Sequence, residues 1–159
     1  MYKNNKQLGE IGERVAIGEL SKYGIDILLP MSDNLTFDFV IVYDNKFYKC
    51  QVKTTDSVED TGAYRFSLTS NNWNKGTTYH YTREDYDILI CYNKMLDELY
   101  VFSFKEVEGK ANIYIRSTKP KNNQVKGIIF NYDCILSEER LKEVLEYINK
   151  DNKKNNIED

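Results

Sequence analysis

Hydrophobic and polar residues follow a pattern along the chain that predicts a helix, then a series of strands, then a second helix. Residues 7–23 carry two apolar stripes at helical spacing and precede Gly24, a residue type that commonly ends helices. Residues 137–150 carry one apolar stripe and open with Ser137, a residue type that commonly caps helices. This order predicts a single α/β (α+β) domain rather than a regular alternation of strands and helices.

The strands are predicted from short apolar runs that are bounded by Asn, Asp, Gly and Ser. They cover residues 25–29, 37–54 (a hairpin), 64–69, 86–92, 99–104, 111–115 and 127–131. Residues 70–82 show no periodicity and are predicted to form a functional loop or a broken helix. Residues 117–126 predict a basic polar loop.

The hairpin at residues 37–54 is predicted to bring three polar side chains to one face of the sheet. Turn residues 44–46 allow two registers for a two-residue loop, one placing Asp38 opposite Gln51 and the other placing it opposite Lys53. A three-residue loop would send Asp38 to the other face. Because a carboxylate, an amide and an ammonium group are costly to gather inside an apolar hairpin, the pattern indicates a metal-dependent site.

The first predicted helix carries a carboxylate on its buried side. Glu13 stands four residues before Ile17 and seven before Leu20, so the three share an apolar stripe. Gly9 and Gly12 lower the helix propensity of this segment. Their presence is explained if another element, or a ligand, packs closely against the helix.

Composition bounds the kind of protein. With 159 residues and 41% hydrophobic content, the chain is predicted to form one domain over residues 1–150, with a disordered tail at 151–159. No long apolar run and no signal peptide are seen, which predicts a cytoplasmic protein without a membrane partner. Three widely spaced cysteines in apolar runs predict buried thiols, and the single His80 argues against a histidine-built metal centre or a Ser-His-Asp triad.

The net charge of -3 counts against nucleic-acid binding. This objection is removed if the acids cluster where metal ions neutralise them and the basic residues gather on one face. One aromatic and four basic residues are the candidates for nucleic-acid contact: Lys75, Tyr81, Arg116, Lys119 and Lys121.

The order of the candidate residues resembles the PD-(D/E)XK nuclease superfamily, in which a helix glutamate precedes a strand aspartate and a (D/E/Q)xK pair on the next strand. Here these are Glu13, Asp38 and residues 51–53 (QVK). The QxK pair and the run GEIGE at residues 9–13 are similar to group I intron homing endonucleases, as is the stretch at residues 113–124. The resemblance implies a restriction-endonuclease-like core, with a central mixed sheet flanked by an N-terminal and a C-terminal helix.

The resemblance also implies roles for individual residues. Asp38, Glu13 and Gln51 would be metal ligands, with Glu13 binding either directly or through water, and Lys53 would stabilise the attacking hydroxide or the charge on the scissile phosphate. All four count as catalytic, and the implied cofactor is Mg²⁺, with Mn²⁺ able to substitute. Phe37 stands in place of the signature proline and Gln51 is neutral, so metal affinity would depend mainly on Asp38 and Glu13.

The function implied by the resemblance is a Mg²⁺-dependent DNA endonuclease of the homing type, which hydrolyses phosphodiester bonds by metal-activated water. Because duplex cleavage needs two active sites, a homodimer or homotetramer is implied as well. A Holliday-junction resolvase remains an alternative, since it shares the helix glutamate and the aspartate. A non-catalytic nucleic-acid-binding module, in which Asp38 and Lys53 form only a cross-strand salt bridge, is the other alternative.

Overall fold

The computed structural model of the protein describes residues 4–72, 76–121 and 126–155. In these residues the helices are α1 (Asn5–Lys22), α2 (Phe104–Val107), α3 (Asn131–Cys134) and α4 (Glu138–Asn155). The strands are β1 (Asp26–Leu28), β2 (Phe39–Tyr43), β3 (Lys46–Thr55), β4 (Ala63–Ser67), β5 (Thr69–Asn72), β6 (Thr77–His80), β7 (Ile88–Asn93), β8 (Glu98–Ser103), β9 (Asn112–Arg116) and β10 (Ile129–Phe130).

A five-stranded central sheet organises the molecule, with the strand order β1-β2-β3-β7-β8. Only the β3–β7 pair of this sheet is parallel, so the sheet is mixed. A second sheet has the order β10-β9-β4, and β5 and β6 form a separate two-stranded ribbon. The predicted fold class, with a mixed sheet between an N-terminal and a C-terminal helix, is confirmed.

Both faces of the central sheet are buried. One face packs against α1 and α4, with Ala16, Leu20 and Leu141 among the buried side chains. The other face packs against the second sheet, where Phe66 and Ile113 are almost completely buried. The molecule is therefore a three-layer structure of helices, central sheet and second sheet, in which burial of apolar area supplies most of the driving force for folding.

The predicted helix ends agree with the structure to within a few residues at three of four positions. Gly24 has a φ of 71°, and the N–H group of Ile25 donates to the carbonyl of Leu20, as expected for a helix terminated by glycine. The side chain of Ser137 accepts a hydrogen bond from the backbone of Arg140, as expected for an N-cap. However, α4 continues to Asn155, so residues 151–155 of the predicted disordered tail are helical, and residues 156–159 lie outside the described residues.

Residues 70–82 were predicted to be a loop or a broken helix, and this was wrong. Most of this segment lies in the ribbon of β5 and β6, in which Thr69 pairs with His80 and Ser70 with Tyr79. Every residue of β6 is exposed. Because β6 buries no apolar face, its sequence lacks the alternation from which strands are normally recognised.

Two further predictions concern the interior and the membrane. Cys50, Cys91 and Cys134 are buried free thiols, as predicted. Among the described residues, no helix has the length and apolar character needed to cross a membrane.

Candidate active site

The β2–β3 hairpin sets the register of the candidate site. Its two loop residues, Asp44 and Asn45, have φ values of 50° and 57°, as in the type I′ turn that Asn and Asp tolerate best among non-glycine residues. Tyr43 then pairs with Lys46, and the backbone N–H of Asp38 donates to the carbonyl of Cys50 at 2.8 Å. This is the first of the two predicted registers, the one that places Asp38 opposite Gln51.

The carboxylate of Asp38 is held from two sides. Its Oδ2 atom accepts hydrogen bonds from the side-chain Nε2 of Gln51 and from the backbone N–H of Val52, each at 2.6 Å. Burial raises the pKa of Asp38, while the bond from Val52 and the charge of Lys53 act in the opposite direction. The aspartate is thus fixed in orientation at the point where β2 begins.

Gln51 lies between two oxygen atoms. Its side chain is only 6% exposed, and its Nε2 atom lies 2.6 Å from Asp38 Oδ2 and 3.2 Å from the carbonyl oxygen of Val52. The amide nitrogen, not the amide oxygen, therefore faces the carboxylate. A group with partial positive charge thus lies between two oxygens, which is the environment that a cation also favours.

Glu13 reaches the same region from α1. Gly12 allows the close approach, because a Cβ atom there would overlap the hydroxyl group of Thr54 on β3. Glu13 and Asp38 both line a cleft of about 510 Å³. Burial, and then the negative charges of Asp38 and Glu10, raise the pKa of Glu13 to about 7.

Lys53 is positioned by an aromatic side chain. Its Nζ atom lies 3.3 Å from the hydroxyl oxygen of Tyr81 and 4.8 Å from the centre of the Tyr81 ring. The ring in turn packs edge-on against Tyr79 and Tyr86, with centroid separations of 5.4 and 5.5 Å. Lys53 is therefore held at the base of the β5–β6 ribbon.

The buried carboxylate of Asp85 holds Tyr79, one of the two rings that pack against Tyr81. Asp85 accepts hydrogen bonds from the hydroxyl of Tyr79 at 2.9 Å and from the backbone N–H of Thr82 at 2.6 Å. The carboxylate of Asp85 is thus satisfied by hydrogen bonds within the fold. A second cleft of about 480 Å³ lies beside Lys53 and includes Arg65 and Ser67 of β4.

The described residues among the five that were predicted to contact nucleic acid differ in exposure and in their contacts. Tyr81 is half-buried against Lys53 rather than free on the surface. Arg116 donates from Nε to the carbonyl of Thr118 at 3.1 Å, and Lys119 and Lys121 are exposed just beyond β9. Lys75 lies outside the described residues.

The donor set fits a hard divalent cation. Across residues 4–72, 76–121 and 126–155, no group of three or more His, Cys, Asp or Glu side chains forms a metal cluster. Glu13 and Asp38 nevertheless offer two carboxylates in one cleft, next to the amide of Gln51 and the carbonyl of Val52. Oxygen donors in this small number suit Mg²⁺, which keeps several of its waters.

Sequence reasoning missed the part played by two residues. Val52 was regarded only as the middle of the QVK run, yet its backbone N–H and carbonyl both take part in the Asp38 and Gln51 contacts. Tyr81 was selected as a DNA contact, and its hydrogen bond to Lys53 was not expected. Neither contact leaves a mark in the sequence, because one involves the backbone and the other spans 28 positions.

A sequence model of the PD-(D/E)XK endonucleases matches residues 3–133, most of the chain. The chain belongs to this family. It is therefore an endonuclease, a hydrolase that acts on DNA, and the predicted resemblance is confirmed. No protein of curated function matches the chain in sequence.

The fold is shared with a solved bacterial homing endonuclease, I-Ssp6803I. The two chains superpose with a TM-score of 0.73 at 23% sequence identity, covering 91% of this PD-(D/E)XK chain and 95% of that chain. At this level of identity the similarity is one of fold. It agrees with the predicted homing-endonuclease-like architecture.

Proposed function

We propose that this PD-(D/E)XK endonuclease is a Mg²⁺-dependent enzyme of the homing type, which hydrolyses phosphodiester bonds at a specific DNA sequence. The observation that carries the proposal is the approach of Glu13 to Asp38 in one cleft. Burial raises the pKa of both carboxyl groups, and the charge of Asp38 further raises that of Glu13. Two such acids are unfavourable together unless a proton or a cation neutralises them.

Glu13 and Asp38 would hold the metal ion. The carbonyl of Val52 offers a further oxygen, and Gln51 would become a ligand if its amide turned to present Oε1. Mg²⁺, or Mn²⁺ in its place, would lower the pKa of a water molecule and offset the negative charge that develops at the phosphorus. The N–H group of Val52 keeps Asp38 oriented for this role.

Lys53 would supply positive charge to the scissile phosphate. Its ammonium group has three donors and needs no fixed fork geometry, so it can follow the phosphate oxygens as their charge changes. The hydroxyl and ring of Tyr81 hold the ammonium group at the edge of the cleft that also includes Arg65. We infer that this contact keeps Lys53 in place before DNA arrives.

We also propose that the enzyme acts as a homodimer or homotetramer. One chain contributes one set of Glu13, Asp38 and Lys53, whereas cutting a duplex through both strands needs two. Exposed apolar side chains at Leu29 and Met31, beside edge strand β1, support self-association. Light scattering on the purified protein tests this, and a monomer that cuts both strands in one encounter would contradict it.

The proposed location is the cytoplasm. Cys50, Cys91 and Cys134 are free thiols, as is usual for proteins in a reducing compartment. Fusion to a fluorescent protein and imaging of the host cell would test the location.

The function is tested by cleavage of a duplex pool of random sequence, supercoiled plasmid and a four-way junction. Each substrate is incubated with Mg²⁺, Mn²⁺ or EDTA, and the ends produced from the pool are sequenced. Asp38→Asn keeps an acceptor for the Val52 N–H and is expected to lose at least about a thousandfold in rate. Asp44→Asn, at the exposed turn of the same hairpin and outside the cleft, is the matched control and should cut normally, because Asn tolerates the positive φ of this position.

The substrates separate the proposal from its alternatives. Metal-dependent cutting at one sequence in the pool, lost in Asp38→Asn, supports the homing-type function. Preference for the junction would instead identify a structure-specific resolvase. Binding to all three substrates without cutting in either metal would favour the non-catalytic module.

A further inference from the structure

Acidic residues are absent from two long segments of the chain, residues 61–83 and 109–132. Together these segments contain eight Lys and Arg and no Asp or Glu, which gives a formal charge of +8. The rest of the chain contains 14 Lys and Arg and 25 Asp and Glu, a charge of -11. The net charge of -3 is therefore the sum of two regions of opposite sign.

The fold joins the two segments into one layer. β4 from the first segment pairs with β9 from the second, and β10 follows on the far side of β9. The β5–β6 ribbon also belongs to the first segment. We refer to the described residues of both segments (61–72, 76–83, 109–121 and 126–132) as the acid-free layer.

The outer face of the acid-free layer is polar and basic. Arg65 and Tyr114, which lie opposite each other on β4 and β9, are both exposed, while Phe66 and Ile113 point into the core. Arg65 is paired at 3.0 Å with Glu59, an acid from just outside the layer. The second sheet within the layer covers the face of the central sheet that is opposite to α1 and α4. At the edge of the layer, Arg83 pairs with Asp151 of α4 at 2.8 Å.

The side chain of Lys53 lies on the face of the central sheet that this layer covers. Gln51 and Lys53 pair with Leu89 and Cys91 of β7, which pack against the second sheet, so all four side chains share that face. Lys53 contacts Tyr81, which directly follows β6. A DNA strand on the acid-free layer would thus reach Lys53 along the cleft that includes Arg65, whose lining also contains Asp56 and Glu59.

The β5–β6 ribbon is a two-stranded antiparallel element with polar side chains on its exposed strand β6. The major groove of B-form DNA accommodates a two-stranded β-ribbon, and hydroxyl, amide and imidazole groups can bond to base edges there. β6 exposes Thr77 and His80, whereas the hydroxyl of Tyr79 on the same strand donates to Asp85. The absence of carboxylates in residues 61–83 removes a source of repulsion from the phosphates.

We propose that duplex DNA binds across the acid-free layer, with the β5–β6 ribbon in the major groove and Lys119 and Lys121 on the sugar–phosphate backbone. This inference rests on the proposed nuclease function and adds an orientation to it. Helix α4 then faces away from the duplex.

The orientation is tested by binding without cleavage. Fluorescence anisotropy with a labelled duplex of mixed sequence is measured in EDTA at several salt concentrations. Lys119→Gln/Lys121→Gln should weaken binding about tenfold and reduce the slope of log K against log salt by about 2. The matched control, Lys142→Gln/Lys150→Gln on exposed positions of α4, removes the same charge and should change affinity less than about twofold.

A photocrosslinking amino acid at Thr77 locates the ribbon, with the same amino acid at Lys150 as its control. DNA crosslinks from position 77 but not from position 150 support the proposal. It is overturned if position 150 crosslinks instead, or if the α4 variants weaken binding as much as the Lys119 and Lys121 variants. Metal-dependent cleavage with either of those results leaves the nuclease function standing, whereas a protein that neither binds nor cuts duplex overturns both.

Discussion

The side-chain nitrogen of Gln51 lies 2.6 Å from the carboxylate of Asp38, across the β2–β3 hairpin. Most members of the superfamily that this chain resembles have an acid at the position of Gln51. Because the amide of Gln51 donates a hydrogen bond to Oδ2 of Asp38, it partly replaces the solvation that this carboxylate loses on burial in the metal-free protein. A carboxylate in its place would instead repel Asp38 until a cation bound.

Replacing Gln51 by Glu should therefore make the stability of the protein more dependent on metal. In EDTA at about pH 8, Gln51→Glu is expected to lower the free energy of unfolding by about 1–3 kcal/mol, because a buried hydrogen bond becomes a repulsive contact. Mg²⁺ should then raise the melting temperature of Gln51→Glu more than that of the wild type. Gln51→Leu, which loses the hydrogen bond without adding charge, is the control and should show no enlarged Mg²⁺ response.

The hairpin shows how much of the site local sequence could predict. For a two-residue loop, the alternation of apolar residues and the turn chemistry at Asp44 and Asn45 limited Asp38 to two partners, Gln51 and Lys53, whereas a three-residue loop would have sent it to the other face. The positive φ values at both loop residues select the first. The side-chain period of a strand and the type of a short turn are local properties, so they can be predicted without knowledge of the rest of the fold.

The parts that sequence reasoning missed depend on contacts between distant segments. Every residue of β6 is exposed, so no apolar pattern predicts this strand, although Thr69 and His80 pair at the base of the ribbon. The contact between Lys53 and Tyr81 depends on where that ribbon leaves the second sheet. Helical spacing placed Glu13 on the buried side of α1, but its approach to Asp38 depends on how α1 packs on β3.

Glu13 should make stability fall as pH rises. Its pKa is raised from 4.5 to about 7 in the folded protein, so between these values the folded state binds more protons than the unfolded state. Glu13→Gln should therefore be more stable than the wild type in EDTA, by about 1–2 kcal/mol at pH near 8, since solvent screens part of the effect at this half-buried carboxyl group, and by much less near pH 5. Urea unfolding at both pH values measures the difference.

A second variant checks the cause of this pH dependence. The charge of Asp38 is the second contribution to the raised pKa of Glu13, after burial. In an Asp38→Asn background, the advantage of Glu13→Gln should hence become smaller. An advantage that is the same at both pH values would show that Glu13 is not the group responsible.

Two glycines of α1 should respond in opposite directions to the same substitution. Gly12→Ala places a methyl group against the Thr54 hydroxyl and is expected to cost about 1–3 kcal/mol. Gly18 has open space around its Cβ position, so Gly18→Ala should stabilise by about 0.5–1 kcal/mol through helix propensity. Thermal or urea unfolding of both variants measures this, and stabilisation by Gly12→Ala would contradict the close packing of α1 on β3.

Tyr81 should affect the rate of cleavage more than the binding of DNA, because it holds Lys53. Tyr81→Phe keeps the ring below the ammonium group and loses only the 3.3 Å hydrogen bond, so a reduction in kcat of about two- to fivefold is expected. Tyr81→Leu removes both contacts and should reduce kcat by about 10- to 100-fold, since a misplaced catalytic group can cost that much. Binding in EDTA should change less than about twofold in either variant, and Tyr147→Phe, an exposed tyrosine of α4 on the far side from the proposed DNA surface, is the control. If Tyr81→Leu instead weakens binding and leaves kcat unchanged at saturating DNA, Tyr81 is a DNA contact and does not position Lys53.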